Sequence, residues 1–530
     1  MRRNSSIERR APVTAPPPPE LDRRRFLQLS GLTAATVSLG VAAPASAVTE
    51  PRRPIPAGVF ALGVASGEPM PDGFVLWTRL APDPGALDGH GGMGKEDVPV
   101  TYQVATDRRF TRVVRAGVAI ASPELGHSVH PEVRGLQPGR EYFYRFRAGA
   151  QVSPIGRAKT FPAPGQQGTT FSFATASCQA WYHGYFSAYK HLAARTDLDA
   201  VFFLGDYIYE YGIVAGGNLW KQGVTVGPEH AVEIETLEQY RLRYGLFKSD
   251  PDLQAAHAAA PWLLTWDDHE VQNNYGNNTS YYGIPPELFP YRRAVAYRAF
   301  YENLPISLNS LPEGPDLQLY RRLDVGTLAR INMLDGRQYR DPVPTSEADR
   351  LSESRTILGA AQEQWLYDGL KGSPATWNIL ANGVVFTAVT DDRTEQWDGY
   401  PANRKRLLAA MGETSNTVVL TGDVHRAIAS ELKADFADPA SKTIGVELIC
   451  SSIASDGDGA ETDGYAKDWM AHPYMKFYNA RRGYVYARIT ETEMISEFVK
   501  VPYVQADANA VATVAARFRT PAGAPRLEAL

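Results

Sequence analysis

The chain of 530 residues is too long for one ordinary core and predicts two folded domains with processed ends. Its formal net charge is −5. Setting aside residues 1–47 removes seven Arg and three acids and leaves 47 basic and 56 acidic residues, a net charge of −9. This balance excludes a nucleic-acid-binding surface of the phosphate-neutralising kind. A small phosphate substrate stays compatible with it, because bound metal charge outweighs a distant acidic surface.

The N-terminus has the pattern of an export signal. Residues 1–22 contain four consecutive Pro and scattered Arg, which predicts disorder. Arg23-Arg24-Arg25-Phe26-Leu27 then precedes a small-residue apolar stretch from Leu29 to Val41, and Ala45-Ser46-Ala47 is a cleavage motif. A transmembrane anchor is the weaker alternative, since the stretch is shorter than about 20 residues. We expect the twin-Arg translocation machinery to deliver the protein to the periplasm, the cell wall or the medium, without an anchor after processing.

Residues 56–163 are predicted to form an all-β domain. Short alternating runs at 73–78, 98–104 and 142–147 are separated by turn residues. The segment Gly135 to Tyr142 is typical of the corner that precedes a late sandwich strand, with a tyrosine at the turn. The pattern therefore predicts a fibronectin-like β-sandwich, followed by a Pro- and Gly-rich linker at 162–168.

From residue 170 to about 515 the pattern changes to strands that alternate with helices. Such alternation predicts an α/β sheet covered by helices. The predicted strands are 170–177, 200–204, 262–266, 328–334, 377–380 and 417–420. The predicted helices are 182–194, 237–244, 251–260, 291–302 and one that begins near 360.

Three fragments rich in acids or His each follow one of these apolar strands. They are Gly205-Asp206-Tyr207-Ile208-Tyr209-Glu210, Trp266-Asp267-Asp268-His269-Glu270 and Gly422-Asp423-Val424-His425. Ligands of α/β sheets bind at the carboxyl ends of the strands, so we expect the three fragments to meet in one polar pocket. This arrangement favours metal-assisted chemistry on phosphate. A surface-binding protein with structural metals would not need three such strand ends together.

The chain contains two cysteines, Cys178 and Cys450. One bridge between them is the plain interpretation. The alternative is a metal ligand and a buried thiol. Cys178 ends a strand-like run, as the three fragments do, which favours a ligand role for it. Cys450 lies at the end of an apolar run from Val446 and is predicted to belong to the core.

Asp206 and Tyr209 point to a specific metal. A carboxylate at a strand end can bridge two cations, and Tyr209 can reach the same site within one turn. A phenol ionises near pH 10, so only a strongly polarising cation such as Fe³⁺ would hold it as phenolate. Aromatic packing is the alternative for Tyr209.

The other two fragments supply further donors. Asp267 and Asp268 offer oxygen ligands that suit hard cations, and Asn274 adds an amide oxygen; a helix-capping acid pair is the alternative. His269 is predicted either to hydrogen-bond the substrate or to hold a ligand in place. Asp423 and His425 alternate by two and would share one face of an extended segment. A surface Asp-His pair is the alternative there.

The three fragments resemble motifs of the PhoD-type alkaline phosphatases, which belong to the calcineurin-like metallophosphoesterases. A fourth segment shares the resemblance, Leu334-Asp335-Gly336-Arg337-Gln338-Tyr339-Arg340. The resemblance spans nearly the whole chain and implies a metallophosphoesterase-type sheet sandwich flanked by helices. It implies Fe³⁺ held by Cys178, Asp206, Tyr209 and either His425 or Asp423. It also implies Ca²⁺ held by Asp206, Asp267, Asn274 and Asp423, with Asp268 as the alternative to Asp267.

The expected activity is that of an exported alkaline phosphatase acting on phosphate monoesters and diesters through a metal-bound oxygen nucleophile. Arg337, Arg340 and Arg426 are candidates for clamping phosphate, although each also has a plain salt-bridge interpretation. A phospholipase D-type diesterase acting on lipid head groups is the enzymatic alternative. A non-catalytic binding protein is the alternative of a different class.

Overall fold

The structure, a computed structural model, describes residues 54–216, 219–389, 395–438 and 440–530. The predicted export signal at 1–47 lies outside these ranges. In the part of the chain that is described, no helix is both long and apolar enough to cross a membrane.

The N-terminal region contains nine strands. They are β1 (Val64–Met70), β2 (Gly73–Arg79), β3 (Val98–Ala105), β4 (Val113–Ala121), β5 (Ser128–Val129), β6 (Glu132–Val133), β7 (Glu141–Ala148), β8 (Gln151–Val152) and β9 (Gly156–Lys159).

The remainder of the chain adds strands and helices. The strands are β10 (Phe171–Ala176), β11 (Ala200–Leu204), β12 (Trp262–Thr265), β13 (Arg321–Val325), β14 (Ala329–Met333), β15 (Trp377–Ala381), β16 (Thr417–Thr421), β17 (Ala427–Lys433), β18 (Thr443–Ile449), β19 (Gly459–Ala460), β20 (Met475–Arg481), β21 (Gly483–Ile489), β22 (Glu493–Lys500), β23 (Thr513–Pro521) and β24 (Glu528–Ala529). The helices are α1 (Ser187–Ala193), α2 (Leu237–Lys248), α3 (Pro251–Ala259), α4 (Phe289–Asn303), α5 (Glu347–Arg350), α6 (Gly359–Lys371), α7 (Pro401–Gly412) and α8 (Ala466–Met470).

The two largest sheets pack face to face. One has the order β24-β23-β22-β21-β10-β11-β12-β1-β2-β5, and the other has the order β13-β14-β15-β16-β18-β17-β20-β19. Apolar side chains of both sheets, such as Phe173 and Phe202 from the first and Ile331 and Val418 from the second, share one buried core. The helices cover the outer faces, so the predicted sheet sandwich flanked by helices is confirmed.

The parallel strands at the centre of each sheet determine where the candidate site lies. β10, β11 and β12 are parallel neighbours in the first sheet, and β14, β15 and β16 are parallel neighbours in the second. The carboxyl ends of such strands lie at one edge of the sheet, where α/β proteins place ligands. The loops that follow them are therefore brought together.

The N-terminal strands join the first large sheet. β1 pairs in parallel with β12 through Gly67 and Trp262. A Cβ on Gly67 would lie 2.1 Å from the carbonyl oxygen of Pro305, so only glycine allows this close approach. The N-terminal region and the region that begins at residue 170 thus share a sheet, a continuity that the alternating sequence pattern did not predict.

The rest of the N-terminal region is a smaller sheet with the order β4-β3-β7-β8, and β9 also pairs with β7. It shares a core with β1 and β2 that contains Val64, Phe74, Val100 and Tyr144. The predicted tyrosine corner is present, since the amide of Gln137 donates to the Tyr142 phenol oxygen at 2.9 Å.

The helix predicted from residue 182 begins only at Ser187. The preceding residues form turns, with the His183 amide bonded to the Ala180 carbonyl. The Gly184 backbone approaches Val504 so closely that a Cβ there would lie 2.4 Å from the valine side chain. Contact with the C-terminal part of the chain, which local periodicity cannot reveal, therefore shortens this helix.

Candidate metal centre

The predicted ligands occupy adjacent strand ends. Cys178 follows β10, Asp206 follows β11, Asp267 and Asp268 follow β12, and Asp423 follows β16 from the second sheet. Four of them are buried, and Asp423 is half-buried. The fold thus assembles in one place the side chains that the sequence motifs singled out.

The Cys178 cluster consists of Cys178, Asp206, Tyr209 and His425. Ligand atoms of Cys178, Asp206 and His425 all lie within 4.8 Å of one another. The Tyr209 phenol donates a hydrogen bond to Asp206 Oδ2 at 3.1 Å, and its oxygen lies 3.3 Å from His425 Nε2. One thiol, one carboxyl, one phenol and one imidazole therefore converge on a single point.

A second cluster shares Asp206. Ligand atoms of Asp206, Asp268 and His269 also lie within 4.8 Å of one another. Asp267 is instead paired with Arg337, whose Nε donates to Asp267 Oδ1 at 2.5 Å. Asp206 is thus the one side chain common to both clusters, the position required of a bridging ligand.

The two remaining predicted oxygen ligands, Asp423 and Asn274, each make one hydrogen bond in this region. Asp423 Oδ2 accepts a hydrogen bond from Gln396 Nε2 at 2.6 Å. The backbone amide of Asn274 donates to Asp268 Oδ2 at 2.7 Å. Asn274 thus contacts an acid of the cluster through its backbone.

The ligand loops adopt an uncommon backbone conformation. Cys178, Asp206, Asn274, Asp423 and His425 all have positive φ values, between 54° and 68°. Residues with a side chain rarely occupy this left-handed region, and each costs about 1 kcal/mol or more. Such a concentration of strained positions is typical of a functional site that the surrounding sheets hold in place.

The electrostatics of the buried acids fit a cation. Burial raises the pKa values of Cys178, Asp206, Tyr209 and Asp423 well above their usual ranges, so their anionic forms are disfavoured unless a positive charge is present. Asp206 Oδ1 and Asp267 Oδ2 are buried and have no hydrogen-bond partner among the described residues. Burial also raises the pKa of Asp267 to about 6. Vacant lone pairs on buried carboxylates are the donors that a metal ion would take up.

His269 is held by an acid that the sequence motifs did not identify as functional. Its Nδ1 lies 2.7 Å from Glu210 Oε2, while Glu210 Oε1 accepts from the Asn273 amide at 2.7 Å. Burial lowers the pKa of His269, but Asp268, Glu210 and Asp206 outweigh it and the net shift is upward. Nδ1 is thereby committed to Glu210, and Nε2 is left for the cluster.

Glu270 joins the two loops that carry the acids. Its carboxylate accepts backbone hydrogen bonds from Asp206 at 3.1 Å, Tyr207 at 2.7 Å and Asp267 at 3.0 Å. Both Glu210 and Glu270 end the fragments that first suggested the site. Their position directly after the predicted ligands was the signal that could have identified them.

The C-terminal part of the chain also supports the site. Ser455 Oγ donates to the Tyr209 phenol oxygen at 2.7 Å, and Asp456 Oδ2 lies 2.8 Å from His425 Nδ1. Neither residue belongs to a recognisable local motif. The two cysteines are both free and buried, with Cys450 in the core, so the single-bridge interpretation is wrong.

The three candidate phosphate clamps make ion pairs or backbone contacts in this structure. Arg337 is buried and contacts Asp267, Glu395 at 3.2 Å and Asp268 at 3.8 Å. Arg426 pairs with Asp463 at 2.7 Å. Arg340 donates to the Glu395 carbonyl through Nη2, while its buried Nε and Nη1 have no partner within the described ranges. Of the three, Arg340 alone keeps unused donors.

Removing the charge that orients His269 should slow the phosphate-ester hydrolysis that the sequence predicts. We expect Glu210→Gln to lower kcat/KM by about 10- to 100-fold, the usual effect of losing a partner that orients a site imidazole. Steady-state kinetics together with metal analysis of the same sample would check it. Glu233→Gln, at a half-exposed acid paired with Arg292, is the matched control and should stay near wild type. Equal kinetics for the two variants would show that Glu210 has no orienting role.

Comparison with known proteins gives concordant matches. The family model described as PhoD-like phosphatase matches residues 173–498, and the model of that family's N-terminal domain matches residues 44–162. Alkaline phosphatase D of Bacillus subtilis (strain 168) is 45% identical over 514 residues, which cover 93% of this chain and 86% of that protein. The solved structure titled "Structure of PhoD" has a TM-score of 0.85 and 43% identity, covering 90% of this chain and 93% of that chain.

Proposed function

Because the chain belongs to the PhoD-like phosphatase family and is a phosphoric ester hydrolase, we propose that it cleaves phosphate monoesters and diesters at a mixed Fe³⁺ and Ca²⁺ centre after export. The observation that carries this proposal is the pair of donor clusters that share Asp206. Export is supported by the twin-Arg pattern of residues 1–47.

The donor sets fit two kinds of cation. Cys178, Asp206 and Tyr209 would supply three anionic ligands, which match the charge of Fe³⁺, and His425 would add a neutral nitrogen. Around the second cluster, Asp267, Asp268, Asn274 and Asp423 offer oxygen donors of the type that Ca²⁺ prefers. The proximity of Asp268 to Asp206 favours Asp268 as a direct ligand, and the vacant Oδ2 of Asp267 keeps Asp267 available. When bound, the metal ions would neutralise the phosphate oxygens and activate the attacking water.

The chain's own residues would orient the ester and supply a proton. Neighbouring carboxylates raise the pKa of His269, and Glu210 holds its Nδ1, so Nε2 would be free to donate a hydrogen bond. That donor would stabilise a phosphoryl oxygen or protonate the departing alkoxide. Arg337 would keep Asp267 ionised and fixed, and Arg340 has the free donors suited to a phosphate oxygen.

Three substrates separate this function from its alternatives. We expect turnover of p-nitrophenyl phosphate and bis-p-nitrophenyl phosphate, its loss after calcium chelation, and its recovery when Ca²⁺ is restored. Release of choline from phosphatidylcholine without turnover of the other two would identify a phospholipase D-type enzyme. Absence of turnover on all three, with metal bound, would identify a binding protein with structural metals.

Tyr209 gives the iron assignment an optical test. A phenolate bound to Fe³⁺ absorbs visible light, so the purified protein should be coloured and Tyr209→Phe should lose the colour. Phenylalanine keeps the ring that lies 4.3 Å from the His269 ring, so the variant should fold. Visible absorbance would be recorded against iron content measured on the same sample.

Tyr211→Phe is the matched control for this experiment. The Tyr211 ring also contacts His269, at 5.2 Å, but its hydroxyl lies 3.4 Å from that of Tyr282, outside the Cys178 cluster. The control should keep its colour. A wild-type enzyme that is colourless, free of iron and fully active would refute the iron assignment.

A further inference from the structure

Three tyrosines extend from His269 to the surface, and we call them the tyrosine strip. The Tyr211 ring meets the His269 ring edge-on, with 5.2 Å between their centroids. The Tyr211 hydroxyl lies 3.4 Å from the Tyr282 hydroxyl, and the Tyr282 ring lies 5.6 Å from the ring of Tyr281. Tyr282 is 50% exposed and Tyr281 is 57% exposed. The strip therefore connects the imidazole at the candidate metal centre with solvent.

The tyrosine strip is anchored by the two loops that carry the acids of the second cluster. In the loop after β11, the Tyr211 carbonyl accepts a hydrogen bond from the buried Arg243 at 2.8 Å. In the loop after β12, the Tyr282 amide donates to Ser280 Oγ at 3.1 Å, and Ser280 Oγ donates to Gln272 Oε1 at 2.5 Å. A surface that is fixed before its ligand arrives loses little conformational freedom on binding.

The strip offers ring surface rather than free hydrogen-bonding groups. The hydroxyls of Tyr211 and Tyr282 are directed at each other, since 3.4 Å separates them. A glycerol or sugar group presents several hydroxyls and would gain little from such a surface. A planar aromatic ring gains from stacking on exposed tyrosines or from meeting their edges. Nucleobases in particular stack on aromatic side chains through their ring faces.

The position of the strip relative to the reaction follows from His269. Glu210 holds Nδ1 of this imidazole at 2.7 Å, which leaves Nε2 for the ester. An alcohol that departs beside His269 has Tyr211 as its neighbour, and the exposed ring of Tyr282 comes next along the strip. A ring carried by the departing alcohol would thus lie against Tyr282.

We propose that the tyrosine strip binds the departing alcohol of the ester and that this alcohol carries a planar aromatic ring, such as the base of a nucleoside. The proposal rests on the hydrolysis proposed above and names its substrate class. Tyr282 is the specificity-determining residue, because its ring is half exposed and its hydroxyl is held by Tyr211. The charge balance of the chain excludes a polynucleotide surface, so the substrate is a small ester.

AMP and ribose 5-phosphate are matched substrates for the first test. Both are esters of the same primary alcohol, so they differ in the base and not in the reactivity of the leaving group. The wild type should have a kcat/KM about tenfold higher for AMP, the effect of one base stacked on an aromatic side chain. Tyr282→Ala should lower the value for AMP to that for ribose 5-phosphate and leave the latter unchanged.

Two further variants separate the ring from other effects. Tyr282→Phe keeps the ring and should keep the preference for AMP. Tyr291→Ala removes an equally exposed tyrosine, 49% exposed, that lies on α4 outside the strip, and it should retain the wild-type values for both esters. Equal kcat/KM values of the wild type for the two esters, or an unchanged preference in Tyr282→Ala, would overturn the proposal.

A bromine-labelled nucleoside tests binding without turnover. Crystals of the holoenzyme soaked in 8-bromoadenosine should show an anomalous bromine peak beside the Tyr282 ring, and crystals of Tyr282→Ala should lack it. Absence of the peak from wild-type crystals would refute the subsite. If the peak is present but neither ester is hydrolysed, the subsite stands and the proposed hydrolysis fails. If both esters are hydrolysed equally and no peak is present, the hydrolysis stands and the subsite fails.

Discussion

Asp206→Asn is expected to lower kcat/KM by about 1,000-fold or more while the fold persists. Partners that merely orient a metal ligand contribute about 10- to 100-fold, and Asp206 is the side chain that both donor clusters share. Asparagine keeps the shape but removes the charge that a bridging ligand needs. Steady-state kinetics with p-nitrophenyl phosphate and metal analysis would check it. Wild-type turnover in this variant would refute the shared-ligand role.

In the metal-free protein, Asp206→Asn should leave the stability of the fold unchanged or raise it. Burial raises the pKa of Asp206, so the folded state binds a proton more tightly than the unfolded state. Its contribution to stability therefore falls as pH rises from about 4 toward the folded pKa. At pH 8 the metal-free variant should melt at or above the temperature of metal-free wild type. With metal bound, the wild type should melt higher.

The second large effect concerns stability alone. Glu302→Gln is expected to lower the free energy of unfolding by about 3 kcal/mol, the usual result of removing one partner of a buried ion pair. Glu302 is fully buried and accepts from Arg241 Nε and Nη2, both at 2.6 Å, and from Arg298 Nε at 3.0 Å. Its carbonyl also accepts from the Trp77 indole of the N-terminal region. Thermal unfolding should show a lower melting temperature for Glu302→Gln. The steady-state kinetics of the folded variant at low temperature should equal those of the wild type.

The contribution of Glu302 to the free energy of unfolding should decrease at low pH. Burial raises the pKa of Glu302, but Arg241, Arg298 and Arg79 outweigh it and the net shift is downward. The stabilisation is therefore present above the unfolded value near 4.5 and is lost as pH falls through the folded pKa. The difference between wild type and variant should shrink at low pH. Asp324→Asn, at an exposed acid that pairs with the half-buried Arg330, is the control and should cost less than about 1 kcal/mol.

The site residues that the sequence could predict are those whose place in the fold follows from the local pattern of strands. Apolar strands followed by Asp or Cys placed Cys178, Asp206, Asp268 and Asp423 at strand ends, and parallel pairing brought those ends together. Tyr209 could be added because it lies within one turn of Asp206. These inferences needed only strand direction and side-chain chemistry.

The rest depended on distant contacts. Glu395, Gln396, Ser455 and Asp456 reach the site from loops that have no motif of their own. Arg337 matched a clamp in sequence, yet in the folded chain its guanidinium contacts the buried carboxylates of Asp267 and Asp268. The ligand assignments themselves stay predictions until the metal ions are measured.

The sheet order has a consequence for the order of synthesis. β10, which leads into Cys178, lies between β11 and β21. During translation β11 emerges soon after β10, whereas β21 (Gly483–Ile489) emerges only after most of the remaining chain. Until then β10 is an edge strand, open to wrong pairing with another chain. The thiol loop can therefore reach its final geometry only late, and a nascent chain released before β21 would lack a completed Cys178 cluster.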